Sequence, residues 1–145
     1  MRRFKGVVRG VLILMVGASL LECSPKVVDD LAGTSWVLDA WANEAISPAA
    51  YGITLEFGRD GGTSGQSAIN YYGSAYEVKQ DKGLLFGSIT MTKMSSTDPG
   101  KIKAEMFYME ALPKVRSYEI TGDRLILKDQ ANAPILIYHS VPFHP

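Results

Sequence analysis

From Thr34 onward the chain is cut into short apolar segments by turn chemistry, and that punctuation leaves room for little besides antiparallel β-structure. Residues 34–41 alternate loosely, with Trp36 and Leu38 on one face. Ile53, Leu55 and Phe57 recur at period two, the spacing that puts side chains on one side of a strand. Gly58-Arg59-Asp60-Gly61-Gly62 follows, able to supply the positive φ angles of a hairpin loop. Residues 76–78 and 84–89 flank a Gln-Asp-Lys-Gly turn, 117–120 and 125–127 flank Thr-Gly-Asp-Arg, and 135–138 make a further strand. Short strands spaced by turns predict a sandwich or a barrel. The inward positions read as bulky (Trp36, Leu55, Phe57, Leu85, Ile120, Leu127), which predicts a filled interior.

One segment departs from this pattern. Asp98-Pro99 reads as an N-cap followed by proline at the first helical position. Ile102, Met106, Met109 and Leu112 then recur at helical spacing until Pro113 ends the run. The spacing predicts one amphipathic helix whose 102/106/109/112 face packs on the strands.

The start of the chain is of another kind. Arg2, Arg3, Lys5 and Arg9 precede an apolar run over residues 11–21, too short to span a bilayer core of about 30 Å at about 1.5 Å per residue. This is the pattern of a secretory leader over residues 1–22. Cys23, the only cysteine, stands directly after it, so no internal disulfide is available. Without the leader, eleven basic and fourteen acidic side chains remain, a net charge of −3. A mildly acidic domain carries no electrostatic footprint for nucleic acid. With 46% hydrophobic residues, the chain has enough apolar material to build a core.

Leu20-Leu21-Glu22-Cys23 resembles a bacterial lipobox, in which the cysteine is acylated and becomes the new N-terminus; Glu22 departs from the small residue usual there. On that reading Cys23 is the lipid anchor and residues 23–30 form a tether. Ordinary cleavage after Gly17-Ala18-Ser19, leaving a free thiol, is the other route.

The order of motifs over the rest of the chain resembles the META domain, the family of HslJ-like envelope lipoproteins. Leu31-Ala32-Gly33-Thr34-Ser35-Trp36-Val37-Leu38 matches Leu-x-Gly-Thr-x-Trp-x-Leu, and Thr54-Leu55-Glu56-Phe57 and Ser64-Gly65 follow in order. Asn70, Tyr72 and Tyr76 fit Asn-x-Tyr-x-Gly-x-Tyr with the glycine displaced to Gly73. Thr92-Lys93-Met94, Asp98-Pro99, residues 105–112, Val115, Tyr118, Ile120, Gly122-Asp123 and Leu125 complete the match. The resemblance implies that residues 31–145 form a small antiparallel β-barrel, calycin-like, with one helix laid against it. It also implies a non-catalytic envelope protein facing the periplasm, held in the membrane by its lipid, with an envelope protein as partner. Ser24 after the cysteine points to the outer membrane. Family members usually carry cysteine where this chain has Ile69 and Ser96. The resemblance therefore implies that these positions are neighbours.

Candidate chemistry is sparse. His139 and His144 lack the three or four ligands a metal site wants, so neither a metal nor any other cofactor is expected. No Gly-x-Ser-x-Gly elbow accompanies them. Glu105 and Glu110 lie five apart and read as solvated charges. Gly61, Gly62 and Gly65 read as turn glycines. Asn70, Tyr71, Tyr72 and Tyr76 are the set most able to bind something, at the mouth of a barrel. Core packing with satisfied hydroxyls is the default reading of them, ahead of binding. Three functions follow: a non-catalytic binding or envelope-integrity role, a carrier of a small apolar ligand, and, least supported, an enzyme.

Overall fold

The computed structural model describes residues 26–42 and 46–143. The leader, Cys23 and His144 lie outside them. Nine strands and one α-helix follow in order: β1 (Thr34–Trp41), β2 (Thr54–Phe57), β3 (Gly62–Gln66), β4 (Tyr71–Val78), β5 (Leu84–Phe86), β6 (Thr90–Met91), α1 (Pro99–Ala111), β7 (Ser117–Thr121), β8 (Arg124–Lys128) and β9 (Pro134–Val141). Eight strands pair antiparallel in the order β5-β4-β3-β2-β1-β9-β8-β7, and β6 adds to β4. The sheet curls into a nearly closed barrel. Among the described residues its two ends share one β-bridge, between Gly83 and Ser117, beside which the Leu84 N–H donates to the Arg116 carbonyl at 3.0 Å.

The period-two segments sit where their pattern places them. Trp36, Leu38, Leu55, Phe57, Leu125, Leu127, Leu136 and Tyr138 are all buried in one core. Each such apolar side chain contributes about 1.5–3 kcal/mol by leaving water. Two inward assignments shift. Leu84 is fully buried, whereas Leu85 pairs with the exposed Glu77 on the outer face, because the β4 register fixes the phase of β5. Ile120 is only half-buried, and Tyr118 takes the deep position on β7.

Residues 62–66 are a strand, not a loop. β3 pairs with β2 on one side and β4 on the other although its sequence, Gly-Thr-Ser-Gly-Gln, has no apolar alternation. β4 likewise begins at Tyr71 rather than Tyr76.

Asp98 caps α1 as expected, accepting from the N–H groups of Gly100 at 2.8 Å and Lys101 at 3.3 Å. The buried face is not the one the methionine spacing predicts. Ala104, Tyr108 and Leu112 are buried and Met109 is half-buried, while Ile102 is 41% and Met106 65% exposed. Polar anchoring explains the difference: Tyr108 and Glu105, described below, reach fixed partners inside and beside the barrel, and they set the rotation of the helix about its axis.

The end of the segment read as a tether reaches the barrel. Val27 and Val28 are exposed, but Asp29 and Asp30 are docked on the barrel. Asp29 Oδ1 accepts from the N–H groups of Leu31 and Ala32, and its Oδ2 from the Tyr76 hydroxyl at 2.8 Å. Asp30 accepts from the Tyr118 hydroxyl and from Lys82 Nζ. Lys82 also lies over the Tyr118 ring, 5.2 Å from its centroid. Asp30 thus spans the seam between the segment entering β5 and β7. Lys82 and its neighbour Asp81 hold left-handed φ angles of 60° and 56°, a conformation non-glycine residues visit rarely.

Candidate functional site

Two hydrogen-bonded arrangements organise the end of the barrel that carries Asn70. The first is a clasp around Glu105. The Ser67 N–H donates to the Asn70 carbonyl at 2.7 Å, folding residues 67–70 into a tight turn whose inner donors point at α1. Glu105 Oε2 accepts from the Ser67 hydroxyl, the Ile69 N–H at 3.0 Å and the Asn70 N–H at 2.8 Å. Its Oε1 accepts from Asn70 Nδ2 at 2.7 Å. Asn70 Oδ1 in turn accepts from the Thr92 hydroxyl at 2.8 Å and the Met94 N–H at 2.7 Å. Partial burial pushes the Glu105 carboxyl up, but the bonds from Ser67, Asn70 and Ile69 outweigh it and hold it below the usual carboxylate range.

The second arrangement is a chain of three tyrosine hydroxyls inside the barrel. Tyr72, from β4, donates to the Thr54 carbonyl at 2.8 Å. It has no second proton, so across its 2.6 Å contact with Tyr108 it must accept. Tyr108 must then accept from Tyr138 at 3.1 Å. The proton order is forced along Tyr138, Tyr108, Tyr72 and Thr54. Burial pushes all three hydroxyls up, Tyr108 to about 12, so none ionises at neutral pH. Gly65 makes the arrangement possible. A Cβ there would stand 2.7 Å from the Tyr72 hydroxyl and overlap the Thr54 carbonyl.

The four residues that sequence reasoning proposed as a binding surface divide. Asn70 and Tyr72 are buried and fully bonded, Tyr76 is half-buried with its hydroxyl on Asp29, and Tyr71 alone is exposed, at 57%. Strand alternation turns Tyr71 outward from Tyr72. Burial and the bond to Asp29 also push the Tyr76 hydroxyl up. Glu105 is no solvated charge, whereas Glu110 is, paired with Lys114 at 2.8 Å on the surface. His139 is no part of a solvated tail. It lies on β9 with Nδ1 2.6 Å from Asp39 Oδ1, both side chains about two-fifths exposed. Among the described residues no group of three or more His, Cys, Asp or Glu gathers as metal ligands would. The Ile69 backbone N–H donates to Glu105, and Ser96 Oγ accepts from the Asp98 N–H.

Sequence reasoning missed Glu105, Tyr108, Tyr138 and the Asp29–Asp30 pair. The first two carried a usable signal. A carboxylate and a phenol flanking the buried side of a short helix need donors and acceptors from elsewhere.

A family model described as the META domain matches residues 29–141. A solution structure of a protein from Burkholderia xenovorans superposes with a TM-score of 0.63 at 27% identity, covering 77% of this chain and 83% of that one. A crystal structure of a DUF4847 family protein from Bacteroides vulgatus superposes with a TM-score of 0.53 at 13% identity, covering 78% and 96%, and supports the fold alone. No curated protein matches the sequence. The matched span begins at Asp29, where the chain first bonds to the barrel.

Proposed function

The chain belongs to the META domain family, and from that membership we propose that it is a non-catalytic envelope lipoprotein, anchored through Cys23, that works by binding another envelope component with its outer surface. The observation that carries this reading is the filled interior. The tyrosine chain occupies the middle of the barrel, and every polar group of the Asn70–Glu105 clasp already has a partner. A carrier of a small apolar ligand needs interior volume instead. One open cleft of about 270 Å³ lies outside the barrel, with Trp41, Phe107 and Ile135 in its lining. Docking of Asp29 supports the anchor. Five residues separate it from Cys23, a reach of about 20 Å, so on this reading the barrel is held close to the membrane.

The test is metabolic labelling with an alkyne fatty acid, followed by fractionation, for the wild-type protein and Cys23→Ser. Wild type is expected in the membrane fraction with an acyl mass increment, and the variant unlabelled. A soluble, unacylated wild-type protein would overturn the anchor.

A further inference from the structure

The hydrophobic side chains this domain leaves in water are gathered in two places. Val27 and Val28 belong to the tether; Tyr71, Met91, Met94, Ile102 and Met106 stand on the segments the clasp draws together. Met94 is bonded through its backbone to Asn70. Ile102 and Met106 lie one turn before and one residue after Glu105 on α1. Cations outnumber anions between residues 93 and 105 of these segments, three to two. Lys93, Lys101 and Lys103 are exposed, and among the described residues none is paired with a carboxylate. The acidic groups nearby are engaged: Asp98 caps the helix, Glu105 sits in the clasp and Glu110 is held by Lys114. On a domain of net charge −3 this is a local cationic, apolar face.

Direction excludes one occupant. β4 runs from the clasp at Tyr71 to the docked tether at Tyr76, and the strand continues to Val78, about 20 Å along at about 3.3 Å per residue. The docked Asp29 and the face therefore lie toward opposite ends of β4, which, with the anchor proposed at Cys23, sets the face away from the bilayer.

We propose that this face docks an acidic amphipathic segment of an envelope protein, its apolar side on Met94, Ile102 and Met106 and its carboxylates against Lys93, Lys101 and Lys103. Methionine thioethers adapt to varied apolar partners, while the clasp keeps the backbone beneath them fixed. An amphipathic helix that lays its apolar side on an exposed apolar face is an established recognition mode. The inference deepens the binding role proposed above and relies on the lipid only for direction.

The experiment uses the purified full-length mature protein with methyl-labelled methionine and three probes: an amphipathic Leu/Glu peptide, its Leu/Lys counterpart, and vesicles of anionic phospholipid. Expected are binding of the acidic peptide alone, methyl shifts at Met94 and Met106, and affinity that falls with salt. The triple variant Lys93→Glu, Lys101→Glu, Lys103→Glu is expected to bind at least tenfold more weakly with an unchanged melting temperature. Met106→Asp, at a site 65% exposed, supplies a second variant that folds and should also lose binding. Equal binding of both peptides, shifts elsewhere, preference for the vesicles, or dimerisation through these methionines in sedimentation would each overturn the proposal. Acylation of Cys23 is read separately by mass, so failure of the anchor and failure of the face are distinguishable.

Discussion

The two ends of the barrel put carboxylates to different uses. At the clasp, one half-buried side chain collects four donors that all lie within residues 67–70. At the tether end, Asp29 and Asp30 collect donors from Leu31, Ala32, Tyr76, Lys82 and Tyr118, the last 88 residues away in sequence. Glu105 shapes a local turn and fixes the rotation of α1. Asp30 closes a seam that the strands leave with a single bridge. Its side chain and that of Lys82 keep 38% and 50% of their surface in water, so their attraction is weak and screened by salt. Two of the donors on Glu105 are backbone N–H groups, which a fold must keep satisfied; that of Asn70 also reaches the Ser67 hydroxyl at 3.1 Å, while that of Ile69 bonds to Glu105. How replaceable the donors' partner is, more than the number of bonds, decides which carboxylate the fold can do without.

Glu105→Gln would test that contrast most severely. Its carbonyl must stay where Oε2 takes three donors, so its NH₂ faces Asn70 Nδ2, another donor. Asn70 cannot flip to help, because Oδ1 already serves Thr92 and Met94. The expected loss is about 2–3 kcal/mol, seen in the denaturant midpoint. A loss as small as that of an ordinary surface change would erase the difference between the two ends.

Tyr108→Phe probes the interior between them. Tyr138 loses its acceptor and Tyr72 its donor, both in buried surroundings, and about 1–2 kcal/mol is expected. An unchanged melting temperature would mean that the hydroxyl chain is not continuous.

Asp30→Asn should have the smallest effect, about 0.5–1 kcal/mol at low salt and close to none at high salt. Its signature is local: faster amide exchange at Leu84, the N–H that bridges the seam. Partial burial pushes the Asp30 carboxyl up, but its bonds to Lys82 and Tyr118 outweigh it and lower it overall, as the clasp does for Glu105. Both contributions are therefore complete above the ordinary carboxylate range of about pH 4 and are lost as pH falls through the lowered folded values. Acid titration at high salt should retain the Glu105 part and lose the Asp30 part. Equal salt sensitivity in both variants would show that the two ends are alike after all.

Much of this architecture could be read from the chain, and the unread parts have physical causes. β1 and β2 were legible because Trp36, Leu38, Ile53, Leu55 and Phe57 keep period two against a single core. β3 was hidden because its Gly65 must leave space for the Tyr72 hydroxyl, and a strand chosen for clearance shows no apolar alternation. The ends of α1 were legible in Asp98 and Pro99, but its face was not, since Met106 counts as apolar in any pattern while standing in water. Glu105 escaped because spacing along a helix is blind to partners 35 to 38 residues upstream. Membership of the META family came from motif order, which a one-residue displacement of Gly73 did not disturb.

The placement of β1 between β2 and β9 has a kinetic consequence. Its pairing runs from Ser35 with Val141 to Trp41 with Leu136, joining the first strand to the last. Such distant pairing gives a high contact order, which slows folding and postpones core formation until late. In a chain that emerges N-terminus first, β1 to β5 can meet early, yet one edge of β1 waits unpaired for Pro134–Val141. Closure of the sheet is thus all-or-none with respect to the last strand, and for as long as that strand is missing, Trp36 and Leu38 depend on holding factors or on speed to avoid the company of other unfolded chains.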